Sequence, residues 1–196
     1  KPANPISACL VGSEMCIRDR IIASAPETES MASGMSGNNG VYIVPALTGL
    51  GAPHWQPDAR GAIYGITRDT GPADFVRAAL ESVAYQTNDL ISAMAQDGMS
   101  PTNLKVDGGM AANNWLMQFL SDIIDITVER PTQLETTALG AAMLAGVADG
   151  KFSAIEDTAL SWNLDRRFHS NMAPSARRNL TSGWYQSVMK TRLSVS

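Results

Sequence analysis

Apolar and polar positions alternate along this chain with periods that mark strands and helices in a recurring order. Phe75, Val76, Ala79, Leu80, Val83, Ala84, Leu90, Ile91 and Met94 recur at three-to-four spacing, the pattern of a helix with one buried face. Pro72 suits a first helical turn, Asp74 suits the positive N-terminal end, and Gly98 suits a stop, so a helix is predicted over 72–96. Ahead of it, residues 41–44 form a short β-branched run closed by Pro45, read as a buried strand, and 62–66 form the next. Between them lies the loop TGLGAPHWQPDAR, long enough to be functional or well packed. Residues 27–39, rich in Ser, Gly, Asn and Met, read as a weak helix running into a turn at 37–40.

Beyond Gly98 the order repeats: strand 104–106, a turn at Asp107-Gly108-Gly109, helix 112–124, strand 126–128 and helix 135–148. A final helix over 175–189 closes the pattern. Alternating strands and helices predict an α/β fold, a mixed sheet flanked by helices with at least part of that sheet parallel.

The first 20 residues do not share these periods. They mix Pro2, Pro5, Gly12, Cys9 and Cys16 without helical or strand spacing, and the string SACLVGSEMCIRDR resembles a translated adaptor sequence. We expect 1–20 to be foreign to the fold and 21–196 to form one domain. The two cysteines match no zinc or redox spacing, and His54 and His169 lie too far apart in sequence to suggest a metal site. No stretch approaches the roughly 20 apolar residues of a membrane span, so the expectation is a cytoplasmic protein without a membrane partner. The net charge of −4 hides a basic C-terminal part, where Asp165 faces Arg166, Arg167, Arg177, Arg178, Lys190 and Arg192. With few aromatics interleaved in a stacking pattern and no nucleic-acid motif, this reads as a solvated or docking face rather than a nucleic-acid surface.

The chain has neither GxxxxGK[ST] nor GxGxxG. It has a strand leading into Asp107-Gly108-Gly109 and then Asn113 and Asn114 at a helix start. Two glycines let backbone approach a ligand, and a helix N-terminus offers N–H groups to phosphate, so the turn suits a nucleotide. It equally suits a turn that needs glycine for its dihedrals alone. The helix over 135–148 is rich in Ala and Gly, which fits a hinge crossed closely by another helix or a tightly packed core helix. Arg60, Asp58 and His54 either brace the long loop or line a cleft, and bracing is the commoner role.

The stretch GAIYGITRDTGPADFVRAALE, residues 61–81, resembles a signature of the FGGY carbohydrate kinases, and TGLGAPHWQPDARGAIYG and VDGGMAANNWLMQFLSDI resemble strings of that family's glycerol-phosphorylating branch. Its pentulose and aldonate kinases usually carry Gly-Glu-Arg where Gly51-Ala52-Pro53 stands. The resemblance implies the C-terminal domain of the actin-like, ribonuclease-H-like ATPase fold. It further implies ATP, with Mg²⁺, held between two lobes, and transfer of its γ-phosphoryl group to glycerol. Carried over residue by residue, it makes Gly109 and Asn113 the contacts to ATP or ADP. Two further contact positions upstream are occupied by Val11 and Met15 and are not carried over. The family's glycerol pocket, catalytic aspartate and first phosphate loop precede the matched stretch, so no catalytic residue is assigned. The partner is then an N-terminal domain of the same enzyme; assembly with further copies of the chain is left open.

Overall fold

The computed structural model describes residues 21–152 and 163–193. The suspected leader, 1–20, lies outside the described residues. The elements in order are α1 (Glu27–Ser33), β1 (Tyr42–Val44), β2 (Ala62–Tyr64), α2 (Pro72–Gln96) and β3 (Asn103–Lys105). A 3₁₀ turn (Gly109–Ala112), α3 (Asn114–Ile124), β4 (Thr127–Pro131), α4 (Thr136–Ala148), β5 (Leu164–Phe168) and α5 (Pro174–Leu193) follow.

Two small sheets form among the described residues. β1 and β2 pair antiparallel, with Ile43 opposite Ile63. The second sheet has the order β3-β4-β5, parallel between β3 and β4 and antiparallel between β4 and β5. The expected mixed sheet, part parallel, is therefore present.

The long helix α2 occupies the residues its pattern predicts. The Asp74 carboxylate accepts the Gly71 N–H at 2.8 Å, satisfying a donor at the helix start, and Gly98 (φ +86°) follows its end in a conformation that favours glycine. Its inner face sets Leu80, Ala84 and Tyr85 against Leu116, Phe119, Leu120 and Ile123 of α3 in one core. Burial of each large side chain contributes about 1.5–3 kcal/mol. Tyr85 is the centre of an aromatic cluster: Trp184 of α5 stacks on it at 5.3 Å and Phe119 meets it edge-on at 5.8 Å.

One boundary differs from the sequence expectation, one strand is added to it, and one of two open readings is removed. Helix α3 begins at Asn114 rather than at 112, because the backbone makes a 3₁₀ turn and then extends at Asn113 (φ −76°, ψ 107°). Strand β5 lies in the basic segment read as a solvated or docking face. Its arginines have partners within the fold: Arg167 pairs with Glu129 of β4 at 2.9 Å, and Arg166 lies over the Phe168 ring at 4.8 Å. Helix α4 has no buried residue, so within this chain it is not a packed core helix.

Candidate nucleotide site at the double-glycine turn

Strand β3 delivers the chain into Asp107-Gly108-Gly109, and a neighbouring segment pins that turn. The Gly108 N–H donates to the Leu134 carbonyl at 2.8 Å, and the Thr136 hydroxyl donates to the Asp107 carboxylate. The two glycines have different reasons to be glycine. Gly108 has φ +82°, a conformation that side chains rarely adopt, so the turn itself requires it. Gly109 lies outside the positive-φ region, is exposed, and a Cβ there would meet nothing within 4 Å. Turn geometry therefore accounts for Gly108 and, among the described residues, leaves Gly109 without a steric reason.

Asn113 caps α3. Its Oδ1 accepts the Leu116 N–H at 2.9 Å, and its Nδ2 donates to the Thr28 hydroxyl at 3.3 Å. The helix predicted from 112 holds Asn113 inside it; the extended backbone at Asn113 makes that residue the cap. Asn114 instead reaches away from the turn. The Glu29 carboxylate accepts its side-chain amide at 3.0 Å and its backbone N–H at 3.2 Å. Its Oδ1 accepts from Arg130 at 3.1 Å.

Two donors of the first turn of α3 are taken inside the chain: the N–H groups of Asn114 and Leu116 are bonded to Glu29 and Asn113. A carboxylate of the chain itself takes the place at the positive end of the helix. The side left open is that of Gly109.

Arg130 of β4 holds the other flank. Its Nη1 donates to the carbonyls of Ala111 at 2.9 Å and Ala112 at 3.4 Å, while its guanidinium pairs with Asp165 at 2.7 Å and lies over Phe168 at 5.4 Å. The turn is thus clamped by α1 on one side and the β4–β5 ladder on the other. Nothing in the sequence around Thr28, Glu29 or Arg130 marks them as neighbours of the turn; Glu29 and Asn114 are 85 residues apart.

Of the long-loop residues, Arg60 braces the loop, while His54 both braces it and lines a small cavity with Gly51, Asp89 and Trp184. Arg60 donates to the carbonyls of Pro57 and Ala59, and His54 contacts Asp89 of α2 at 3.3 Å. Among the described residues no group of three or more His, Cys, Asp or Glu could hold a metal ion, and no helix is long and apolar enough to cross a membrane.

The family model for the C-terminal domain of FGGY carbohydrate kinases matches residues 13–148. Glycerol kinase 1 of Pseudomonas aeruginosa is 53% identical over 173 residues, covering 88% of this chain and 35% of that protein. A glycerol kinase of Sinorhizobium fredii is 54% identical over 175 residues, with the same shares covered. The chain thus spans about a third of the length of the curated relatives it matches. Among solved structures, Plasmodium falciparum glycerol kinase with ADP superposes with a TM-score of 0.78 at 36% identity, over 92% of this chain and 36% of that one. A xylulose kinase of Lactobacillus acidophilus has a TM-score of 0.66 at 20% identity, over 92% of this chain and 36% of that one, a likeness of fold alone. The chain belongs to the FGGY family of carbohydrate kinases, whose C-terminal domain it matches.

Proposed function

We propose that this chain is the nucleotide-side part of a glycerol kinase, an enzyme that transfers the γ-phosphoryl group of ATP to a terminal hydroxyl of glycerol and yields sn-glycerol 3-phosphate. The observation that carries the nucleotide role is Gly109: the fold does not need glycine there, and the space beside it is open. A ligand that packs against the backbone supplies the missing reason. Gly109 would touch the nucleotide through its backbone, and Asn113 would offer it the side-chain amide that already caps α3. ADP in the Plasmodium enzyme and the identity to bacterial glycerol kinases support both the nucleotide and the substrate.

Mg²⁺ would arrive on the ATP phosphates and neutralise their charge. Glycerol, the catalytic aspartate and the first phosphate loop would belong to an N-terminal domain. The uncovered small-residue helix α4 suits a hinge against that domain, because small side chains permit a close crossing. The cytoplasm is the expected compartment, where ATP and polyol substrates meet. The chain alone is expected to phosphorylate nothing. Expressed from its complete gene, the enzyme should phosphorylate glycerol in preference to xylulose or gluconate; preference for either of those would contradict the assignment.

A further inference from the structure

Helix α1 does two jobs at once. At its C-terminal end, the carbonyls of Ala32 and Met35 accept from the buried guanidinium of Arg77, which fixes the helix to α2. At its N-terminal end, Thr28 accepts from the Asn113 amide, and Glu29 accepts twice from Asn114. The two adjacent residues thus hold the two asparagines that follow the double-glycine turn. Asn114 passes the constraint on, since its Oδ1 meets the same Arg130 nitrogen that holds the Ala111 carbonyl inside the 3₁₀ turn.

We infer that Glu29 is a positioning residue of the nucleotide site, acting through Asn114 on the turn that carries Gly109 and Asn113. The inference rests on the nucleotide reading above. Glu29 is half-buried, and its two oxygens accept two N–H groups of one residue, which fixes that residue in both distance and rotation. Asn114, with donors and acceptor engaged inside the chain, has a relay role and no need to touch the ligand. A bond of this charge-assisted kind, held in a partly buried setting, is strong enough to set the place of a short turn.

The test is ADP titration by calorimetry on the full-length enzyme, with amide hydrogen exchange on the nucleotide-free protein. Glu29→Ala should weaken ADP binding about tenfold, and Glu29→Gln, which keeps shape but not charge, by a smaller factor. In an Asn114→Ala background, Glu29→Ala should weaken ADP binding by less than it does in wild type, because only the bond to the residue-114 backbone N–H is left to lose. Without nucleotide, the Asn114 amide should exchange faster in both Glu29 variants, while amides in the middle of α2 stay protected. If wild type binds ADP and Glu29→Gln and Glu29→Ala bind it equally well, the inference is overturned and the nucleotide site stands. Additive losses in the double variant, or unchanged exchange at Asn114, would also overturn it. If wild type binds no ADP, the site reading falls and takes this inference with it.

Discussion

The Nε of Arg77 donates to the Glu81 carboxylate at 2.8 Å, one helical turn away and inside the core. The other Glu81 oxygen accepts from the Tyr85 hydroxyl at 2.9 Å, and the Arg77 guanidinium lies over the Trp115 ring at 5.0 Å. Burial pushes the Glu81 carboxyl above its ordinary range, against the opposing pull of Arg77, and burial pushes the Tyr85 phenol upward as well. Removing one partner leaves a buried charge uncompensated. Glu81→Ala is expected to cost about 3–5 kcal/mol in urea unfolding. Replacing both partners, as in Arg77→Met with Glu81→Leu, should cost less than the sum of the single changes.

A second expectation concerns the approach of α5 to β1. A Cβ on Gly183 would stand 2.2 Å from the Tyr42 hydroxyl oxygen, so the helix sits where it does because position 183 has no side chain. Gly183→Ala should lower stability by about 1–3 kcal/mol, read as thermal midpoint, with the usual helix gain of alanine overridden. Tyr42→Phe in that background should restore only part of it, since the ring carbon beneath the hydroxyl also lies at 2.5 Å.

The cross-strand pair of Glu129 and Arg167 gives an acid-side signature. The Arg167 hydrogen bond holds the Glu129 carboxyl below its ordinary value of 4.5. A depressed carboxyl contributes stability above the unfolded value and loses it as pH falls through the folded value. Wild type should therefore exceed Arg167→Ala in thermal midpoint at neutral pH, and the gap should close below about pH 4.5. The effect should be small, because half of the Arg167 side chain faces solvent. A gap that persists undiminished in acid would mean that Arg167 acts through packing alone.

Much of the fold was legible because its strongest signals are local. The apolar stripe, Pro72, Asp74 and Gly98 mark α2 without help from the rest of the chain. β5 was hidden because Asp165, Arg166 and Arg167 read as surface, and their reason for being in a strand, the pairing with Arg130 and Glu129, is visible only across the ladder. The double-glycine turn was legible as a motif, whereas its division of labour was not. Which asparagine caps α3 depends on one extended backbone residue, and what fills the helix end depends on Glu29 from a distant segment. Tertiary contacts of that kind leave no period or spacing in the sequence.

On the reading proposed above, the backbone at Gly109 faces a nucleotide. Gly109→Val tests it cleanly, because a Cβ there would meet nothing within 4 Å among the described residues and the backbone is not in the left-handed region, so the fold should survive. Circular dichroism should match wild type in the full-length enzyme, while Asn113→Ala serves as the milder companion, losing about 1 kcal/mol of binding together with its helix cap. Calorimetric titration with ADP should then show Gly109→Val weakened by more than about a hundredfold, as expected when a side chain blocks the approach rather than deleting one contact. A folded Gly109→Val enzyme that binds ADP as tightly as wild type would contradict the account.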